Sequence, residues 1–279
     1  MKIAITLDSD CDLSEEIIQK YDFRTIPFNV LLGEKIYEDG KINTLDIFDY
    51  VNETGVLPKT SAINEETFYE FFNEVKEGYD AVIHFSLSSG ISCTYQNVVN
   101  AAKRLDNVYA IDSHSLSTGI GLLAIYAREL TQSCDNVKEI VEKVQAKVDK
   151  VQASFVVERL DYLYKGGRCS ALALFGANLL KIRPQIVLQD GKMKPTRKYR
   201  GKMTKVVADY CHDVLNEFHD TVDKHICFIT HSQATQEMVD AACEAVKNAG
   251  FDTVYETVAG CTISSHCGKN TLGILFLNK

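Results

Sequence analysis

The sequence predicts an α/β protein, and three observations carry that reading. Short apolar runs of strand length, such as residues 81–85, alternate with segments whose apolar side chains recur at i, i+3, i+4 and i+7. The junctions between them are rich in glycine and hydroxyl residues, as strand-to-helix turns are. The length of 279 residues, 46% hydrophobic and 24% charged, suits two domains or one large α/β domain around a sizeable core.

Composition excludes several classes. A net charge of -8 argues against general nucleic-acid affinity. No apolar run approaches the length of a membrane span. The first residues read as a strand, not a signal peptide, because acidic residues follow at once. The 9 cysteines are irregularly spaced, with no C-x-x-C and no zinc-type His/Cys spacing. They read as small core residues in a reducing cytoplasm, with Cys93 and Cys267 set apart inside candidate site loops. No metal site and no cofactor is expected.

Taken in order, residues 2–7 form a first strand that runs into Asp8-Ser9-Asp10-Cys11-Asp12 and a short helix over 13–21. The acidic cluster reads as that helix's N-terminus, complementing its dipole. Asp8 and Asp10 have the D-x-D spacing of haloacid-dehalogenase-type phosphotransferases, but no later G-D-x-x-x-D completes a magnesium site. Residues 23–32 and 35–37 are extended, with a turn at Asp39-Gly40, and 45–51 form a helix. Thr60 and Ser61 lie in a loop over 58–64. The helix after it buries Phe68, Phe71, Phe72 and Val75.

The strand over 81–85 leads into Leu87-Ser88-Ser89-Gly90-Ile91-Ser92-Cys93-Thr94-Tyr95-Gln96 and a helix over 95–105. Free backbone N–H groups and the helix dipole favour an anion there. Ser92 and Thr94 read either as simple caps or as part of a carboxylate- or phosphate-binding loop. A strand over 107–111 follows, and Gly119 and Gly121 open a helix over 122–131. No third glycine completes a dinucleotide fingerprint. After an amphipathic helix over 137–148, Asp149, Lys150 and Gln152 mark a domain boundary, giving domains 1–152 and 153–279.

The second half opens with a strand over 153–157. Gly166-Gly167 demands a tight backbone and places Arg168 ahead of a helix. Residues 171–180 are apolar on nearly every side, as a buried helix or the wall of an apolar cavity. Asp190-Gly191 signals a hairpin between 186–188 and 192–197. That hairpin and its flanks are basic, with Lys181, Arg183, Lys192, Lys194, Arg197, Lys198, Arg200 and Lys202. Such a face is either simply solvated or meets phosphate or an acidic partner. A helix over 202–218, a strand over 226–229, a helix over 236–249 and strands over 254–257 and 272–277 complete the chain. His266 falls in a small polar loop bounded by glycines, which favours a site-facing role.

Together these loops resemble the DegV family, the fatty-acid-binding subunits of bacterial fatty acid kinase. The resemblance rests on Lys59-Thr60-Ser61, on Ser88 to Tyr95, on Asp112-Ser113 with Ser117-Thr118-Gly119-Ile120-Gly121, and on Lys165-Gly166-Gly167-Arg168. Leu179-Leu180-Lys181-Ile182-Arg183-Pro184 and Ser265-His266-Cys267-Gly268 complete it, over essentially the whole length. It implies two α/β domains, a parallel-sheet one and a mixed-sheet one, with a long acyl chain between them. It places the carboxylate on Thr60 or Ser61, Ser92 and His266, with Thr94 and Arg168 in the supporting network. It implies no catalysis by this chain: a separate ATP-binding kinase subunit phosphorylates the bound acid to an acyl phosphate for phospholipid synthesis. Arg197, Arg200 and Lys202 would then face that partner. The chain departs from the family pattern at Ala62-Ile63-Asn64, at Cys93 where a glycine is usual, and at Lys269-Asn270.

Physical chemistry permits this expectation. Each buried methylene is worth about 0.8 kcal/mol, so a C16 tail gains on the order of 12 kcal/mol gross before ordering costs. The head needs hydrogen-bond donors, because an unpaired buried carboxylate is costly. A rival expectation is a Ser92/His266 acyl hydrolase. Gly90-Ile91-Ser92-Cys93-Thr94 lies one residue from a nucleophile elbow, and His266 comes late in the chain.

Overall fold

A computed structural model describes residues 1–169 and 182–279. The apolar segment 171–180 and Lys181 lie outside the described residues. The first half is built on four parallel strands in the order β2-β1-β6-β7. These are β1 (Ile3–Asp8), β2 (Phe23–Ile26), β6 (Ala81–Ser86) and β7 (Val108–Asp112). Every residue of β1 and β6 is buried, as central strands covered on both faces must be. Helices α1 (Glu15–Lys20), α3 (Glu65–Lys76), α4 (Thr94–Ala102), α5 (Thr118–Leu130) and α6 (Val137–Val148) accompany this sheet. Phe68, Phe72 and Val75 are the buried face of α3, as their spacing predicts, whereas Phe71 is only half-buried.

The second half holds a mixed sheet in the order β10-β9-β8-β13-β11-β12, with β11 and β12 its one parallel pair. Its strands are β8 (Val151–Val156), β9 (Arg183–Gln189), β10 (Lys192–Tyr199), β11 (Val222–Ser232), β12 (Thr253–Val258) and β13 (Thr271–Asn278). Helices α8 (Met203–Glu217) and α9 (Gln236–Ala249) share a second apolar cluster with it, centred on Tyr210, Phe276 and Val239. Between α6 and β8 only Asp149 and Lys150 intervene.

Two local expectations are corrected, and one element is added. The loop over 58–64 contains a strand, β5 (Lys59–Ser61), which joins β3 (Asn29–Leu32) and β4 (Lys35–Glu38) in a small antiparallel sheet. Its three residues are too short for a period to register. The segment before Gly166 is a short helix, α7 (Asp161–Lys165). His266 lies on a helix, α10 (Cys261–Cys267), not in a loop. Small polar residues hid that helix, because its stabilising partners come from the other half of the chain.

Candidate functional site

Helix α10 is short, and its first amides are satisfied from a distance. The Gly260 N–H donates to Asp12 Oδ1 at 2.7 Å and the Cys261 N–H to Asp39 Oδ1 at 2.8 Å. The Thr262 N–H reaches Asp39 Oδ2 at 3.3 Å. Carboxyl oxygens at a helix N-terminus accept from its free donors, and an ionised one also answers the dipole. The acidic cluster was expected to serve α1 in this way. Asp12 instead serves α10, with Ser117 donating to its other oxygen. Glycine at 260 suits this approach, since a Cβ there would lie a tight 3.2 Å from Asp39 and 3.3 Å from Asp12. Asp39 and Asp12 are thus positioning residues that the sequence did not single out. Their acidity was visible, but their partner lies more than two hundred residues away.

With α10 anchored, the His266 Nε2 sits 2.8 Å from the Thr60 hydroxyl on β5. Burial, and secondarily the Arg168 charge, hold the imidazole down to about 4, so it is neutral near pH 7. Gly166 lets the turn after α7 pass close by, since a Cβ there would meet His266 Nδ1 at 2.9 Å and the Tyr162 carbonyl at 2.8 Å. Gly167 takes a positive φ of 71°, so the Gly-Gly pair is the tight turn its sequence predicts. The turn is braced by Arg168, whose guanidinium donates to the Gly166 carbonyl at 2.7 Å.

Ser92 closes the chamber from the parallel sheet. Asp8 organises the start of its loop by accepting from Ser86 Oγ and the Leu87 N–H, both at 2.8 Å. The Ser92 hydroxyl accepts from the Thr94 N–H at 3.2 Å and lies 2.9 Å from the Thr94 hydroxyl. Capping is therefore real, yet it leaves Ser92 half-buried at the cavity while Thr94 is fully buried behind it. Cys93 occupies the N-cap position with φ -79°, a conformation open to any residue, and its side chain is exposed. The departure from glycine there costs no backbone strain.

One cavity is lined by Thr60, Ser61, Ser92, Arg168 and His266, together with Asp10 and Thr262. Of the six expected binding and supporting residues, only Thr94 lies off its wall. A second, apolar cavity is bounded by Phe155, Leu163 and Leu275 and shares Leu116, Met193, Ile263 and His266 with the first. Cys267 lines this apolar cavity and is buried, with its thiol pushed up to about 12 mainly by burial. The departures at 62–64 have local explanations: Ala62 lines the polar chamber, Ile63 packs in the core, and the Asn64 side chain accepts from the Thr67 N–H of α3 at 2.9 Å.

The two residues of the rival hydrolase reading hydrogen bond to other partners. Ser92 is engaged with Thr94 and His266 with Thr60. No carboxylate hydrogen bonds to His266 among the described residues, whereas a triad base pairs with one. Among the described residues no group of three metal-binding side chains occurs, and no helix is long and apolar enough to cross a membrane.

A parallel-sheet α/β half joined to a mixed-sheet α/β half, with a hydroxyl, histidine and arginine chamber that shares four wall residues with an apolar one, makes a two-domain α/β fold with an amphiphilic pair of cavities. The family model described as "Uncharacterised protein, DegV family" matches residues 2–279. The chain belongs to the DegV family. A curated relative from Thermotoga maritima, named a fatty acid-binding protein, is 31% identical over 98% of this chain and 96% of its own. A solved structure of a DegV family protein from Thermus thermophilus, titled for its fatty acid binding, superimposes with a TM-score of 0.92 at 25% identity, covering 100% of both chains. A DegV lipid binding protein from Thermotoga maritima gives 0.86 at 29% identity, over 100% of this chain and 99% of its own.

Proposed function

We propose that this protein binds a long-chain fatty acid and presents it to a separate ATP-binding kinase subunit, which forms the acyl phosphate. The carboxylate is held by Thr60, Ser61, Ser92 and His266, with Thr94 and Arg168 supporting them. The observation that carries this reading is the juxtaposition of the polar chamber and the apolar cavity, which share Leu116, Met193, Ile263 and His266 as wall residues. An amphiphile with an anionic head and a hydrocarbon tail matches that pairing of surfaces. The Thermotoga relative and the two solved structures, described as fatty acid or lipid binding, support the same ligand class.

In this reading the chain supplies binding and orientation, and the partner supplies the phosphoryl chemistry in the cytoplasm. The basic hairpin is suited to meet that partner. Its turn is fixed to the Ser92 loop, because the Ser88 hydroxyl donates to the Gly191 carbonyl at 2.7 Å. Gly90 packs against the same peptide so closely that a Cβ would lie 2.3 Å from the Gly191 oxygen. Docking at Arg197, Arg200 and Lys202 would therefore occur on an element in contact with the head-group loop.

Mass spectrometry of the purified protein, native and after organic extraction, tests the ligand. A co-purifying long-chain fatty acid that is lost in Ser92→Ala and His266→Ala is expected. A protein that stays empty after incubation with a panel of fatty acids would overturn the reading.

A further inference from the structure

We propose that Asp10 and the Thr262 hydroxyl complete the head-group chamber as hydrogen-bond donors, Asp10 in its neutral form, so that Asp10 and a bound carboxylate share one proton and one negative charge. This deepens the fatty-acid reading and rests on it. Asp10 stands in the middle of a 3-10 turn, Ser9–Cys11, directly after β1. It is fully buried, it lines the chamber beside Thr60, Ser92 and His266, and neither of its oxygens has a hydrogen-bond partner among the described residues. Thr262 also lines the chamber, and its buried hydroxyl is likewise unpartnered.

Their neighbours are all engaged. Asp8 accepts from His84, Ser86 and Leu87, Asp12 from Ser117 and Gly260, and Asp39 from Ser9, Cys261 and Thr262. Asp10 is the carboxyl of this corner whose hydrogen-bonding capacity is unspent within the described residues. An O–H to carboxylate hydrogen bond is among the short, strong ones, and two carboxyl groups sharing a site readily hold a single proton. The local charges favour the neutral form: burial first, then Asp8, Asp12 and Asp39, raise Asp10 well above the usual carboxylate range.

Several ionisable groups surround Asp10. Asp8, Cys11 and Asp12 come from its own segment and Asp39 from the end of β4. Cys261, His266 and Cys267 come from α10, and Arg168 follows α7. Helix α5 also packs on this turn, but its ionisable residues Tyr126, Arg128 and Glu129 lie toward its far end. All of these groups are common to the wild type and to an Asp10→Asn variant, so a comparison of the two isolates Asp10.

The experiment is equilibrium binding of radiolabelled palmitate from about pH 6 to about pH 10, with 1-hexadecanol as a ligand of neutral head. Wild-type affinity for palmitate is expected to fall by up to roughly tenfold per pH unit once Asp10 loses its proton. Asp10→Asn keeps an N–H donor and has no proton to lose, so it should bind palmitate at the low end and lack that fall. The alcohol should show little dependence in either protein, and Thr262→Val should weaken palmitate without altering its pH profile. Identical profiles for wild type and Asp10→Asn would overturn the proposal. So would loss of palmitate by Asp10→Asn at low pH with thermal unfolding unchanged. A wild type that binds palmitate at no pH would instead remove the fatty-acid reading itself, and this proposal with it.

Discussion

The Thr60 hydroxyl and the His266 Nε2 lie 2.8 Å apart across 206 residues of chain. Thr60 is delivered by the small antiparallel sheet and His266 by a helix whose N-terminus is capped by Asp12 and Asp39. The contact joins the two halves of the molecule at the chamber wall. Thr60→Val keeps the shape and removes the hydroxyl. Palmitate affinity should drop about tenfold, the worth of roughly one net hydrogen bond, in a calorimetric titration. Unchanged affinity would show that the head group does not use this pair.

Neutral His266 has a consequence for acid stability. Its folded-state value of about 4 lies below the ordinary 6.5, so between those values the unfolded chain binds more protons. Stability should therefore decline as pH falls from 6.5 toward 4, and His266→Asn should flatten that decline in chemical denaturation.

Asp12 acts in the opposite sense. Burial pushes its carboxyl up to about 8 despite the hydrogen bonds from Ser117 and Gly260. The folded protein then binds more protons than the unfolded chain above the ordinary carboxylate range, so stability falls as pH rises. The window runs from the ordinary value of 3.8 up to about 8. Asp12→Asn should remove that share of the slope in denaturant titrations at stepped pH.

Removing the distal cap should be felt at the site. Asp39→Ala deletes the acceptor for the Cys261 and Thr262 amides. A loss of about 1–2 kcal/mol in stability is expected, the range for a helix cap. Palmitate binding should weaken as well, because His266 rides on the same helix. Asp39→Asn, which keeps one acceptor oxygen, should recover part of both.

The Gly166 approach offers a test that separates site from fold. Gly166→Ala sets a methyl 2.9 Å from His266 Nδ1 and 2.8 Å from a carbonyl, so the turn or the ring must shift. Ligand affinity should suffer in a binding titration, and a variant with full affinity would show that the ring has freedom the packing does not suggest.

Partner docking is tested by charge reversal at Arg197, Arg200 and Lys202. Arg197 already pairs with Glu217 at 3.0 Å, whereas Arg200 and Lys202 are exposed and make no ion pair among the described residues. The triple change to Glu should abolish acyl phosphate formation with the kinase subunit while fatty acid still binds. Coupling that survives the reversal would remove this surface from consideration.

Periodicity and punctuation in the sequence determined most of the elements. The amphipathic helices α6 and α9 run where their spacing places them, and Asp190-Gly191 turns the hairpin with both residues at positive φ. These signals are local, since a helix face or a turn is dictated by neighbours within a few positions. The hydroxyls and His266 were legible as chemistry, and the order of the loops identified the family. Tertiary structure decided which of them meet. Whether Asp12 serves α1 or α10, that Asp39 caps α10, whether residues 59–61 are loop or strand, and that Asp10 ends buried without a partner among the described residues depend on contacts between distant segments. Those contacts are set by the packing of two sheets and their helices, and no window along the chain contains both partners.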